Sequence, residues 1–319
     1  MSITVDLNGA GGGTSAITAF TEQTIVSLFP SATISTNGSP DSNSIDTVTI
    51  TLASPTAAAE ILSLNAAASA AATAAGITVT YNSGVLTLSG SDELTSQWQT
   101  ILQGVQYNNT SDSPTGPTRT VTVVATNTGT NNSSSATDTI NITAVNDAPV
   151  ATITPTSYSA TEQTGLDLRN TGLSISDADA TGPMTVTLSV TQGILNVAAG
   201  TSGASVSNSG TSSVTITGTV AQINALLSTN AGSTVSYIDN TDAPGASATL
   251  TLNVNDNGNT GGGALQSSDT ATINITAVND APVATITPTS YSATEQTSLN
   301  LKNTGFRSAT WMPAPARCR

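Results

Sequence analysis

Carboxylates are the reactive groups this sequence offers in number. Asp and Glu total 20 against 6 Lys and Arg, a formal net charge of −14, with no histidine and one cysteine, Cys318. Carboxylates brought close together repel unless they share a cation, and calcium, which takes six to eight hard oxygen ligands, is the cation that fits. Solubility alone is the alternative use of such acidity. Without histidine there is no Ser-His-Asp triad, no His-ligated zinc and no histidine base, and Cys318 has no imidazole to activate it. Paired carboxylates could hydrolyse glycosides, but the acids here fall in repeated turns and linkers, and aromatics, the platforms for sugars, are 3% of the chain. The glycine runs at Gly9–Gly13 and Gly261–Gly263 lack the lysine and helix of a phosphate loop. The reading is non-enzymatic. The charge also disfavours nucleic acid and anionic membranes as partners.

The elements that must position these acids recur at domain-sized intervals. Ile140–Thr164 reads INITAVNDAPVATITPTSYSATEQT, and Ile273–Thr297 repeats it 133 residues later; another TEQT lies at Thr21–Thr24. The interiors align as well: TVTITLASPTAAAEILSLN from Thr47 with TVTLSVTQGILNV from Thr185, and VQYNNTSDSP from Val105 with VSYIDNTDAP from Val235. Each block is a short alternating run of β-branched residues bounded by Gly, Asn, Ser or Asp, the pattern of an all-β sandwich. Two stretches depart from it. Glu93–Gly104 and Thr219–Thr229 place Ile101, Leu102, Ile223, Leu226 and Leu227 at helical spacing, which predicts one short helix per repeat. The alanine run Ala66–Ala75 has high helix propensity but faces a much shorter loop in the second repeat, and is expected to be a surface insertion. A single cysteine excludes an intrachain disulfide, and no apolar run spans a bilayer.

With VNDAPV at Val145–Val150 and Val278–Val283, SDADA at Ser176–Ala180 and VNDNGNTGGGALQSSDTATINITAVNDAP from Val254, the sequence resembles the cadherin-like repeats of large bacterial surface and secreted proteins, over nearly its whole length. The resemblance implies tandem cadherin/immunoglobulin-like β-sandwiches, each with at most one short helix, stiffened by calcium at their junctions. It also implies adhesion or biofilm formation at the cell surface, with export by a type I system, since the N-terminus lacks the pattern of a classical signal peptide. Such repeats use an early Glu, a DxD pair and an Asn/Asp linker before proline. This implies a ligand set of Asn146, Asp147, Glu162, Asp177, Asp179, Asn255, Asp256, Asn279, Asp280 and Glu295. Asp147, Glu162, Asp177 and Asp179 are expected to converge at one end of a sandwich. The first repeat has no DxD, only Asp41 and Asp46, and its Asn127 has no following Asp, so weak or absent calcium binding is expected there.

The repeats are bounded at 1–146, 147–279 and 280–305, the last being only the start of a third. From Phe306 the pattern stops, and Arg307, Arg317, Arg319, Cys318 and Trp311 crowd the last 14 positions. A frameshift accounts for this change. The unique codons of Trp311 and Met312, TGG and ATG, contain GAT when shifted by one base, which restores an aspartate opposite Asp179. Residues 280–305 are then expected to be poorly ordered or to pair at a sheet edge. The functional expectation is a structural and adhesive module binding calcium and other cell-surface proteins or glycans. A glycan- or ligand-binding sandwich and a passive spacer are the alternatives.

Overall fold

The computed structural model describes residues 2–9, 11–37, 45–56, 59–127 and 132–309; Asp41 and the tail from Thr310, including Cys318, lie outside them. The chain forms two compact units, Met1–Asn146 with Thr260–Gly262, and Asp147–Asn259 with Gly263–Arg319.

Strands of the first unit are β1 (Ser2–Asp6), β2 (Ala16–Thr21), β3 (Val26–Ser27), β4 (Thr33–Asn37), β5 (Ile45–Leu52), β6 (Glu60–Leu64), β7 (Thr78–Asn82), β8 (Val85–Glu93), β9 (Val105–Asn109), β10 (Thr118–Asn127) and β11 (Asn132–Thr143). They make a six-stranded sheet β2-β11-β10-β5-β8-β7, a three-stranded sheet β3-β9-β6 and the pair β1-β4. The second unit runs β12 (Val150–Ile153), β13 (Ser157–Thr161), β14 (Leu166–Asp167), β15 (Leu173–Ser176), β16 (Met184–Val190), β17 (Ile194–Ala198), β18 (Ser205–Ser207), β19 (Ser213–Gly218), β20 (Thr234–Ile238), β21 (Ser247–Asn255) and β22 (Gln266–Thr276). Its sheets, β13-β22-β21-β16-β19-β18, β14-β20-β17 and β12-β15, repeat the first unit strand for strand. The expected all-β architecture of tandem sandwiches therefore holds.

Period-two burial is the cause. In β16, Met184, Val186, Leu188 and Val190 are buried while the threonines and serine between them are partly open. Facing residues of the smaller sheet, such as Leu195 and Tyr237, close a core with Leu250, Leu252 and Ile273. In each unit one strand, β2 or β13, pairs in parallel with the last strand. That pairing carries the TEQT turn to the end of the sandwich where the chain departs.

Both expected helices form, as α2 (Thr95–Gln103) and α3 (Val220–Asn224), the latter continuing into a π-helical turn at Ala225–Thr229. Thr219 and Gln222 cap α3 reciprocally, at 3.3 and 2.9 Å. The alanine run is a correction. It is α1 (Ala66–Ala74), so the first unit has two helices rather than one; the insertion lies at the surface, with Ala68 and Ala72 on its buried side. The Asn65 side chain caps it at Ala68 N (2.8 Å). Close approach explains the alanines: a Cβ on Gly104 of the α2 exit would lie 2.3 Å from Ala68 Cβ.

After β22, β23 (Val283–Ile286) pairs with β24 (Phe306–Ala309), in the register that β12 and β15 use. Within 280–305, expected to be poorly ordered or to pair at a sheet edge, Val283–Ile286 thus pairs with the stretch that follows it, Phe306–Ala309. Phe306–Ala309 takes the place of Leu173–Ser176, because a backbone ladder does not require the original side chains. No helix among the described residues is long and apolar enough to cross a membrane.

Candidate metal centre

The TEQT turn is strained in a way that aims its glutamate. Glu162 N donates to Thr276 O (2.9 Å), Gln163 N to Asp239 O (2.7 Å) and Thr164 N to Thr161 O (3.0 Å). Gln163 is held at φ +59°, a left-handed conformation that glutamine seldom adopts. Gln23 and Gln296 have φ +58° and +60° in the other two copies. The turn leaves Glu162 only 1% exposed, with Oε2 accepting from Val278 N (2.7 Å), the first residue of the outgoing VNDAP linker. Glu162 Oε1 is buried with no hydrogen-bond partner.

Two more carboxylates meet it. Asp242 stands in the loop after β20, which Asp239 organises by accepting from Thr241 N (3.0 Å) and Thr241 Oγ1 (2.8 Å). Burial raises the Asp239 carboxyl's pKa, but hydrogen bonds from Gln192, Thr241 and Tyr237 outweigh it and hold the pKa below the ordinary carboxylate value. Gln163 Nε2 then donates to Asp242 Oδ1 (3.1 Å), so the strained glutamine positions the second acid beside the first. The third is Asp280 of the linker, whose Oδ2 is buried and unpartnered. One oxygen each of Glu162, Asp242 and Asp280 lies within 4.8 Å of the others. Two unit charges at that spacing repel by about 1 kcal/mol in a water-like medium and about 3 kcal/mol at an effective dielectric of 20. Three such pairs, with two of the oxygens buried and lacking donors, could hold a hard cation. Three carboxylates offer up to six oxygens, which is what calcium takes.

The predicted ligands divide between the two ends of the second unit. β12 and β13 run from Asp147 at one end to Glu162 at the other. At the Asp147 end, Asp147 N donates to Asp179 Oδ2 (3.2 Å) and Asp179 N to Asp177 Oδ1 (3.1 Å). Asp177 Oδ2 is buried without a partner, and burial, with the adjoining Asp179 carboxylate, pushes the Asp177 carboxyl up to about 6. Asp147, Glu162, Asp177 and Asp179 therefore do not converge. Glu162 belongs with the linker that follows its own sandwich, because parallel pairing with β22 carries it there. Asn255 and Asp256 close the β21–β22 loop. Asn255 Oδ1 accepts from Asn257 N (2.7 Å), and Asp256 Oδ1 from Gly258 N and Leu265 N (both 2.8 Å). Asn146 is buried and Asn279 exposed, while Glu295, also exposed, stands outside the three-carboxylate cluster.

Sequence reasoning missed Asp242. Its signal was an aspartate two residues before proline in both copies of one block, Asp112 in TSDSP and Asp242 in NTDAP. Gln23 Nε2 donates to Asp112 Oδ1 (2.7 Å) as Gln163 does to Asp242, and Val145 N donates to Glu22 Oε2 (2.8 Å) as Val278 does to Glu162. The first repeat, expected to be poor in ligands, thus has the same turn, glutamate and second aspartate.

The chain is similar to the protocadherin GammaB4 extracellular domain, at 17% identity and a TM-score of 0.32, over 90% of this chain and 36% of that one. It is similar to mouse cadherin-23 EC22-24 at 16% identity and a TM-score of 0.37, over 88% and 69% of the two chains. For Drosophila N-cadherin EC1-4 the values are 14%, 0.32, 82% and 48%. This chain spans about a third of the first and half of the last. No protein-family model and no curated protein matches the sequence. The sandwich architecture rests on the strand ladders described above.

Proposed function

We propose that this chain is an extracellular, structural and adhesive repeat module of the cadherin-like type, in which calcium fixes the exit of the polypeptide from each sandwich. One observation carries this reading: Glu162, Asp242 and Asp280 place carboxylate oxygens within 4.8 Å of one another, with two oxygens buried and unpartnered. Asp280 lies in the linker, and Val278 N is already bonded to Glu162. Calcium held by the three acids ties linker to sandwich, and removing it leaves three repelling charges that favour release. Asp147, Asp177 and Asp179 form the second proposed ligand group, at the opposite end of the unit. The repeat limits are 1–146, 147–279 and 280–305, with an out-of-frame stretch from Phe306. The VNDAPV motif supports a bacterial adhesin of the kind exported by type I systems. No part of this reading calls for a catalyst.

Calorimetric titration of the full chain with calcium tests it. Saturable binding at 0.1–1 mM, the range of extracellular modules, is expected, with loss of the linker-end site in Asp280→Asn. Absence of heat up to 10 mM, the protein being folded, refutes it.

A further inference from the structure

In the second unit Tyr158 reaches from β13 to the turn after β14, where its hydroxyl donates to Thr171 O (3.3 Å), and the residue is buried. The third copy repeats the contact, Tyr291 OH donating to Thr304 O (2.6 Å). The first unit has no such ring. Ile140 and Ile273 hold the same place in the repeat, and Thr18 stands opposite Ile140 where Tyr158 stands opposite Ile273. Leu28 N donates to Val105 O as Leu168 N does to Val235 O, which puts Ser31, three residues on, in the turn where Thr171 is. Between Thr18 and Ser31 runs an open groove of about 570 Å3, lined also by Leu7, Ala16, Leu28 and Pro30. The bulk missing at Thr18 is not returned by the next residue on that face of β2. Phe20 packs edge-on against Tyr107, with centroids 4.8 Å apart, and does not line the groove.

The groove is made for an apolar occupant. No charged side chain lines it. Its rim carries exposed apolar groups that the second unit lacks: Ile17, which lines it, is 76% exposed and Ile25, next to the lining residue Val26, is 55% exposed, where the second unit has Ser157 and Gly165. Exposed apolar surface around a concavity is the mark of a binding site. The first unit has no ring of its own to offer. Phe20, Phe29, Trp98 and Tyr107 are at most 1% exposed in its core, the Tyr81 hydroxyl donates to Glu60 O (3.1 Å), and none of the five lines the groove. We infer that the groove binds a tyrosine side chain carried on an extended peptide from outside the first unit. A tyrosine is what the other two copies place against this turn. The peptide backbone has room alongside β2, whose outer edge pairs with no strand. The groove's size, within the roughly 300–1,000 Å3 of small-ligand sites, takes residues flanking the ring as well. At its floor the Thr18 hydroxyl is already held between Asp138 Oδ2 (2.8 Å) and Leu28 O (3.2 Å), which leaves the ring's recognition to the apolar walls and the Ser31 turn. The inference rests on the repeat alignment, not on calcium.

The test titrates the full chain with the blocked peptide Ser-Tyr-Ser-Ala, the sequence at 157–160, and follows amide shifts by NMR. Saturable shifts around Thr18, Leu28 and Ser31 are expected, with a dissociation constant on the order of 1 mM, and binding at least tenfold weaker for the peptide with Ala in place of Tyr. Thr18→Tyr, which restores the ring in cis, should abolish binding. Should that variant fail to fold, Ile17→Asp decides, since Ile17 is exposed and its loss leaves the core intact; binding at least tenfold weaker than wild type is expected. No saturable shift up to about 10 mM, equal binding of the Ala peptide, or unchanged binding by a folded Ile17→Asp overturns the inference. If blocked tyrosinamide binds as tightly as the peptide, the occupant is a free phenol and the extended peptide is wrong.

Discussion

Glu162→Gln separates a metal site from a structural glutamate by the sign of its effect. Gln keeps an oxygen to accept from Val278 N and places an amide where Glu162 Oε1 has no partner. In chelator the substitution removes two of three repulsive pairs. Asp242 is exposed, so the water-like end of the Coulomb range applies, and the variant is more stable than wild type by about 2 kcal/mol. In calcium that advantage is largely cancelled. For a dissociation constant of about 0.1–1 mM, 10 mM calcium stabilises wild type by about 1.4–2.7 kcal/mol. For a unit of this size that is a midpoint shift of about 3–10 °C, and the variant forgoes most of it. Differential scanning calorimetry of both proteins, in EDTA and in 10 mM calcium, reads the four values. If Glu162→Gln is less stable than wild type in EDTA and gains the same increment from calcium, Glu162 is a buried hydrogen-bond acceptor and the metal centre is wrong.

Gly104→Ala drives a Cβ to 2.3 Å from Ala68 Cβ and lowers stability of the first unit by about 1–3 kcal/mol; an unchanged urea midpoint would show that α1 does not pack there. Arg119 Nε lies 2.8 Å from Glu60 Oε1, both side chains almost wholly buried. Burial raises the Glu60 carboxyl's pKa, but Thr56 N–H, the Tyr107 hydroxyl and Arg119 outweigh it and hold the pKa below the usual value. Arg119→Met strands that charge and costs about 3–5 kcal/mol in equilibrium unfolding; a loss under 1 kcal/mol would refute the pairing. Burial raises Asp138, against the opposing hydrogen bonds of Thr18 and Thr139. The folded state then holds the proton more tightly than the unfolded state, so the Asp138 contribution is present below the ordinary carboxylate value and is lost as pH rises through its folded value. Asp138→Asn removes that slope, and urea midpoints of variant and wild type should diverge as pH rises above the ordinary carboxylate value. Parallel profiles would count against it.

The sequence by itself determined the architecture, since period-two burial and 133-residue repetition are local signals that every β16-like block carries. Both short helices were legible for the same reason, in the spacing of Ile101, Leu102, Ile223, Leu226 and Leu227. Ala66–Ala74 was misjudged because a run of small residues shows no apolar face until a glycine from another element, Gly104, comes close enough to need one. The acids were legible as a class but not as a group. Motif order placed Glu162 beside Asp177 and Asp179, only 15 and 17 residues on. Parallel pairing of β13 with β22 instead carries Glu162 to the far end of the sandwich, to meet Asp280, and Gln163 brings in Asp242 from a loop some 80 residues away. Which carboxylates share a space depends on strand direction and register, and those are set by ladders between residues more than 100 positions apart. A residue's type and neighbours in the chain indicate that it could bind a cation, but only the fold decides with which partners.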